Sequence, residues 1–407
     1  MVLPTTTISG RVPRGLVAVL ACDMTPLFSA RRVLDGTILQ AISYLQSFLE
    51  INGSPMSNAT ISDVARKVGV SESTVSRCLS GFNVRNAEAI RKAIKELGYR
   101  PNLVARNLKS GRTGLVALIV PDITNPFFAS IVRGAELAAG EDYMIQLINT
   151  GDQPEREEWA IQRMMGQVDG IIYVPSQEDC QAMTDIADRS IPLVFVDRLI
   201  KNFRNIDSVL ADNLTGGEMA TQHLVEHGHT KIAHISGPLT STPGKERAAG
   251  FARALKAHKI KEDSNYFVES DFTVLGGYQA MMSLLSLPTP PTAVFVANNQ
   301  MTIGALKALK EKAIKTPEKM AIIGFDDHEL TDLIDPPLTV ISRDAHLQGA
   351  IAMQTLLERI KGGNQFPPKR IKVDVRLLVR GSCGSTCRHR ETSTSNANKV
   401  LSASTRS

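Results

Sequence analysis

The chain is poor in cysteine and lacks long apolar runs. Five cysteines in 407 residues (Cys22, Cys78, Cys180, Cys383 and Cys387) are few, odd in number and scattered. No pair has CxxC spacing, so neither a zinc site nor a disulfide framework is indicated, and this usage suits a reducing cytosol. No stretch reaches the roughly 18 apolar residues of a membrane span. RVPRGLVAVLACD, residues 11–23, places arginines before an apolar run and Ala21-Cys22 in the manner of a lipoprotein signal. The run Gly15–Ala21 sits at or below the short end of the usual length of about 7–15 residues, so export is not expected.

Catalytic signatures are also missing. There is no GxGxxG for a dinucleotide and no GxSxG elbow. SGPLTSTPGKER, residues 236–247, loosely suggests a phosphate-binding loop, but Gly237 to Gly244-Lys245 has the wrong spacing and Glu246 stands where Ser or Thr is required. His223, His227, His229 and His234 fall at helix, turn and strand positions expected to point different ways. Asp326 and Asp327 are adjacent, so they do not face each other along a strand. The expectation is a protein without catalytic residues, metal or cofactor.

What is present is ordinary globular composition, 43% hydrophobic and 21% charged, in a chain long enough for two or three domains. Charge is unevenly placed. Residues 56–112 hold eleven lysines and arginines against four acids, an excess of seven, larger than the +5 of the whole chain. A basic module on a nearly neutral body is the electrostatic footprint of nucleic-acid binding.

The basic block has helical periodicity. Ile61, Val64, Ala65 and Val68 form one stripe, Thr60 and Asp63 suit a capping box, and Gly69 ends the helix. Ser71 caps a second helix with Glu72 in its first turn, and Val75, Cys78 and Leu79 give its buried face. Two short helices with a tight glycine turn predict a helix-turn-helix, whose second helix enters the major groove. Ile90, Ile94 and Leu97 line a third helix that stops at Gly98 before Tyr99-Arg100-Pro101.

From residue 115 the pattern changes. LVALIVPD, MIQLINT, GIIYVP, LVFVD, KIAHISG, AVFVANN and AIIGFDD are short apolar strands with helical stretches between them. This alternation over about 260 residues predicts a doubly wound α/β body too large for one layer, hence two lobes. Ligands in such sheets bind beyond the carboxyl ends of the strands. The polar residues there, Asp122 and Asn125, Asp197-Arg198, Asn298-Asn299 and Asp326-Asp327, suit a polyhydroxylated ligand. Each taken singly also suits a turn or helix cap.

Two blocks, TISDVARKVGVSESTVSRCLSG (60–81) and AIKELGYRPNLVARNLKSGRTG (93–114), resemble the LacI/GalR family of bacterial transcriptional repressors. DITNPFF (122–128), FVDR (195–198), HLVEHGHTKIAHISGP (223–238), ERAAGF (246–251), VANNQMTIGAL (296–306) and GFDDHEL (324–330) extend the resemblance over roughly residues 113–381. The resemblance implies an α/β two-lobe, periplasmic-binding-protein-like core with an N-terminal all-α helix-turn-helix domain. The expected organisation is an extension over 1–55, the DNA-binding domain over 56–100, a hinge helix or linker over 101–112, the effector-binding and dimerisation core over 113–381, and a disordered tail over 382–407.

By the same resemblance, Thr60, Ser71, Glu72, Ser73, Ser76 and Arg77 face DNA. Arg77 suits a guanine or phosphate, and Glu72 a cytosine amine unless it only serves the helix terminus. Asn102, Ala105 and Leu108 lie in the hinge, where Leu108 wedges into the minor groove or packs locally. In NVRNAEAIRK the chain departs from the family: Asn86-Ala87 replaces the usual Thr-Arg. Phe127 and Phe128 would flank the effector, Asp197, Arg198, Arg247, Asn298 and Asp326 would bind it, and Phe272 would stack on its ring. Asn299 replaces the family's usual Asp, and Ser241 and Pro243 lie in a variable loop. The implied partners are a near-palindromic double-stranded DNA operator, a sugar-type effector and a second copy of the chain, as dimer or tetramer, in the cytoplasm. The family's short lead into the helix-turn-helix points to Met56 as the true start. The rivals, an exported transport receptor or an enzyme, leave the basic helix-turn-helix without a use.

Overall fold

A computed structural model describes residues 59–79, 81–99, 112–178, 191–201, 203, 205–362 and 367–384. The expectations for Met56, Asn102, Ala105 and Leu108 lie outside these residues. The chain divides into two compact units, Met1–Leu103 and Val104–Ser407.

In the first unit, α1 (Ile61–Val68), α2 (Glu72–Leu79) and α3 (Ala87–Leu97) enclose one small core of Val64, Ala65, Val75, Cys78, Ile90 and Ala93. The predicted capping box is present: the Asp63 amide donates to Thr60 Oγ1 at 3.3 Å and the Thr60 amide to Asp63 Oδ2 at 2.9 Å. Gly69 and Gly98 end α1 and α3 at φ 73° and 62°, the left-handed conformation that costs glycine least. Ser71 Oγ accepts from the Thr74 amide at the start of α2. On α3 the more deeply buried residues are Ile90 and Ala93, with Ile94 and Leu97 half-buried against the same core.

The second unit holds two six-stranded sheets. The first runs β11-β5-β4-β3-β1-β2, wholly parallel, built from β1 (Leu115–Val120), β2 (Met144–Asn149), β3 (Gly170–Tyr173), β4 (Leu193–Val196), β5 (Asp207–Ala211) and β11 (Arg370–Val373). The second runs β12-β10-β9-β8-β6-β7, with β6 (Ile232–Ser236), β7 (Phe267–Glu269), β8 (Ala293–Val296), β9 (Ala321–Phe325), β10 (Thr339–Arg343) and, antiparallel to β10, β12 (Val375–Leu378). The central strands are buried on both faces, as parallel strands between helical layers must be. Helices α4 (Pro126–Ala139), α5 (Pro154–Met164) and α10 (Ala345–Gly362) pack on the first sheet. Helices α6 (Asn213–Glu226), α7 (Thr242–Ala257), α8 (Val274–Leu285) and α9 (Asn299–Glu311) pack on the second. The chain passes between lobes three times, after β5, β10 and β11, so neither lobe is a continuous segment.

Two expectations need correction. Ser382 and Cys383 are buried, so the packed body runs past the boundary drawn at 381. The Ser382 hydroxyl donates to the Ile322 carbonyl at 2.7 Å, and Cys383 Sγ lies 3.2 Å from His223 Nε2. The four histidines do not all diverge: His223 and His227, one helical turn apart, stack with ring centroids 4.2 Å apart.

His234 is fully buried on β6 between Phe251 and Phe295. Burial pushes its pKa down to about 4, although Nδ1–H donates to the Phe295 carbonyl at 3.0 Å. As pH falls below the unfolded value of about 6.5, the unfolded chain takes up this proton first. The stability His234 contributes is therefore present at neutral pH and lost on acidification towards pH 4, a swing of about 3 kcal/mol. The melting temperature of His234→Phe is expected to fall less than that of the parent over this range.

Candidate functional site

In the first unit, the side of α2 opposite Val75 and Cys78 carries Glu72, Ser73, Ser76 and Arg77, with Ser71 before it; all are exposed except the half-buried Ser76. Glu72 is already engaged, because the Ser62 hydroxyl of α1 donates to it. That contact ties the two helices together and gives Glu72 a structural task whether or not it also meets a base. Ser71 Oγ lies 2.8 Å from both Ser73 Oγ and Thr74 Oγ1. Arg77 lies over the Phe82 ring at 5.7 Å, exposed at the end of the row. Thr60 is exposed and caps α1.

In the second unit, a cavity of about 420 Å³ opens between the carboxyl ends of the two sheets. All eight residues expected to meet an effector line it. Phe127, Phe128, Asp197 and Arg198 come from the first lobe, and Arg247, Phe272, Asn298 and Asp326 from the second. Most are placed by strand or helix ends. Asp197-Arg198 follow β4, Asp326 follows β9, Asn298 caps α9, and Asn125 caps α4 by accepting from the Phe127 amide at 3.1 Å. Arg247 sits on α7, where Gly217 of α6 faces its backbone carbonyl. A Cβ at 217 would lie 2.3 Å from that oxygen, so only glycine permits the close crossing that sets Arg247 at this depth.

Electrostatics organise the cleft floor. Arg343, at the end of β10, is the residue that sequence reading missed. Its Nε and Nη2 donate to Asp326 at 2.6 and 3.3 Å, its Nη1 donates to Asp197, and its guanidinium stacks 3.6 Å from the centre of the Phe127 ring. One cation therefore holds a carboxylate from each lobe. Burial works to raise the Asp197 carboxyl, but Arg343, then Arg198 and Arg247, outweigh it and hold it below the usual carboxylate range. Arg247 donates Nε–H to Asn213 Oδ1 at 2.9 Å and Nη1–H to the Ala297 carbonyl, and lies 3.5 Å from the Phe325 ring centre. Its Nη2 has no partner. Burial, then repulsion from Arg343, lowers Arg247 to about 9, still protonated at neutral pH.

Arg198 Nη1 donates to Asp152 Oδ1 at 2.7 Å and to the carbonyls of Pro175 and Ser176 at 3.3 and 3.1 Å. That loop is held by Glu157, whose Oε2 accepts from the Tyr173 hydroxyl at 2.6 Å and the Ser176 hydroxyl at 3.0 Å. Burial pushes the Glu157 carboxyl up. Asn298 uses both ends of its amide structurally. Oδ1 accepts from the Met301 amide at 2.9 Å, and Nδ2 donates to the Phe272 carbonyl at 3.0 Å. Asp152, Asp197, Phe272 and Asp326, all lining the cavity, have φ between 58° and 74°. For Phe272 in particular this is a conformation that side chains resist, at a cost of about 1–3 kcal/mol, and such strain clusters at functional sites.

Across the cleft mouth, Asn299 Nδ2 donates to Asn125 Oδ1 at 2.8 Å, and the Leu199 amide donates to Thr242 Oγ1 at 2.9 Å. Asn299 thus bridges the lobes. Asn299→Asp is expected to replace this hydrogen bond with repulsion between a carboxylate and an amide oxygen, weakening effector binding about tenfold, as read by titration calorimetry. Pro243 lines the cavity, whereas Ser241 caps α7. Asp327 pairs instead with Arg380, at 3.0 and 3.1 Å. Among the described residues no helix is long and apolar enough to cross a membrane.

Residues 60–102 match the model of bacterial regulatory proteins of the lacI family, and residues 221–383 match a periplasmic binding protein-like domain. The HTH-type transcriptional repressor CytR of Escherichia coli (strain K12) is 36% identical over 329 residues, covering 80% of this chain and 96% of the relative. The ribose operon repressor of the same organism is 36% identical over 332 residues, 80% of this chain and 99% of the relative. Among solved structures, the lac repressor dimer bound to operator and the anti-inducer ONPF is similar at TM-score 0.70 and 28% identity, covering 80% of this chain and 99% of that one. A complex of the transcriptional regulator CelR with cellobiose is similar at TM-score 0.61 and 33% identity, with the same coverage.

Proposed function

The chain belongs to the lacI family of bacterial regulatory proteins, and from that premise we propose a cytoplasmic, dimeric transcriptional repressor controlled by a small sugar-type effector. Ser71, Glu72, Ser73, Ser76 and Arg77, with Thr60, meet the operator in the major groove. Asn102, Ala105 and Leu108, outside the described residues, contact the operator as well, Leu108 in the minor groove. Residues 56–100, 101–112 and about 113–384 divide these tasks. The observation that carries the ligand reading is the cleft itself: a cavity lined by Phe127, Phe128 and Phe272, by a ring of strand-end polar groups and by the buried Arg247. Sugars present many hydroxyls to such groups and an apolar face to the rings. No chemical step is assigned to the site.

Two-fold symmetry of the protein imposes near-palindromic operators. The effector favours one closure state of the lobes, and the two equilibria are coupled through its different affinity for the two states. A thermal-shift screen against sugars, sugar acids and polyols tests the ligand reading, since a bound ligand raises the melting temperature by mass action. No shift with any of them would count against it.

The dimer has a candidate face. β2 is an edge strand that exposes Met144 (69%) and Leu147 (39%), and α4, which packs beside it, exposes Leu137. An apolar edge of this kind is normally covered. Met144→Asp is expected to convert the dimer to monomer in light scattering and to weaken binding to a two-half-site DNA at least tenfold.

A further inference from the structure

Helix α2 ends in a way that brings an aromatic ring to Arg77. Gly81 adopts φ 82° and its amide donates to the Cys78 carbonyl at 3.1 Å, while the Phe82 amide reaches back to the Arg77 carbonyl at 3.0 Å. These two bonds make a Schellman motif, in which the chain reverses at the glycine and the next residue packs against the third residue from the helix end. The partner in such a contact is ordinarily apolar. Here it is Arg77, whose guanidinium lies 5.7 Å from the centre of the Phe82 ring.

The contact does not bury the ring. Phe82 is 59% exposed, the only exposed large hydrophobic residue of the first unit among the described residues. Its neighbours in sequence behave otherwise: Leu79 and Val84 pack against the core of Val64, Val75 and Ile90, to which Phe82 does not belong. The glycine turn alone closes α2, so the packing of the three helices gives no reason for an aromatic side chain here. The ring stands at the Arg77 end of the row that includes Ser73 and Ser76, in a block whose eleven basic residues against four acids suit an anionic duplex.

Resting on the reading of α2 as the operator-reading helix, we infer that Phe82 also reads sequence: its ring packs on the 5-methyl group of a thymine in the base step next to the pair that Arg77 meets. The thymine methyl is the apolar group that the bases present in the major groove, and phenylalanine is among the side chains suited to it. An arginine on a guanine edge has its guanidinium in that groove, which brings a ring 5.7 Å away within reach of the adjoining step. A polar and an apolar contact then come from one pair of side chains fixed by a single turn.

The test starts from duplexes that the full chain selects from a random-sequence pool at physiological salt. In the preferred site each thymine is replaced singly by deoxyuridine, which removes only the methyl group, and affinities are measured for the parent, Phe82→Ala and Phe82→Leu. Arg77→Ala locates the pair that Arg77 meets, through relaxed preference there. At one thymine beside that pair in each half-site, the replacement is expected to weaken the parent about fourfold, the equivalent of one buried methyl group, and to leave Phe82→Ala unchanged. Phe82→Leu should keep part of the response. Phe82→Ala is expected to bind the unmodified site at least fivefold more weakly, with the same dependence on salt, because no phosphate contact is lost. If Phe82→Ala does not fold, the scan of the parent and Phe82→Leu decides. A parent indifferent to every replacement, or a variant that responds to each as the parent does, overturns the inference and leaves the operator reading standing. If the pool yields no preferred sequence, that reading falls, and the inference with it.

Discussion

Arg343→Ala is expected to destabilise the second unit by about 3–5 kcal/mol, the usual cost of removing one partner from a buried ion pair. Arg343 serves two carboxylates from different lobes, so its loss leaves Asp197 and Asp326 buried and like-charged, with only the less direct influence of Arg198 and Arg247 against them. The sign of the pH dependence is diagnostic. In the parent chain Asp197 is held below the ordinary carboxylate range, so its contribution is present above about pH 4 and lost in acid. In the variant, burial and mutual repulsion raise a folded-state carboxyl above its unfolded value. The folded state then binds the proton more readily, so the deficit is largest at neutral pH and narrows as pH falls. Melting temperatures of both proteins across this range would show it; a deficit independent of pH would deny the ion-pair account.

Arg247→Ala is expected to weaken effector binding on the order of 100-fold, because a buried charge-assisted contact contributes about 1.5–3 kcal/mol and truncation also leaves its neighbours unpaired. Those neighbours are Asn213 Oδ1, the Ala297 carbonyl and the Phe325 face. Operator occupancy should then no longer respond to effector at concentrations that saturate the parent chain. Arg247→Lys keeps the charge but not the planar fork, and is expected to recover only part of the affinity.

Much of this was legible in the sequence. Thr60 and Asp63 specify the first cap, and Gly69 and Gly98 the helix ends, because these signals are local and need no partner from elsewhere. Apolar runs gave β1, β2, β3, β4, β6, β8 and β9, and family motifs gave the eight cleft residues. Arg343 escaped notice because it ends an unremarkable stretch, TVISR, and gains its meaning only where β10 ends between two carboxylates 146 and 17 residues away in sequence. Asn299 stood out by its departure from the family, yet its partner Asn125 lies 174 residues away. Cys383 looked like part of a polar tail, since one or two buried residues leave no periodicity to read. The helix-cap reading of Asn298 holds in the structure, where it caps α9 while lining the cleft.

The direct test of the account is selection and sequencing of genomic DNA bound by the purified full chain at physiological salt, with and without saturating ligand identified by calorimetry. The expected result is a set of short near-palindromic sites whose recovery changes at least tenfold when ligand is added. The same coupling should raise or lower ligand affinity by an equal factor when operator is present. DNA recovered without sequence preference, or sites whose recovery ignores the ligand, would contradict it.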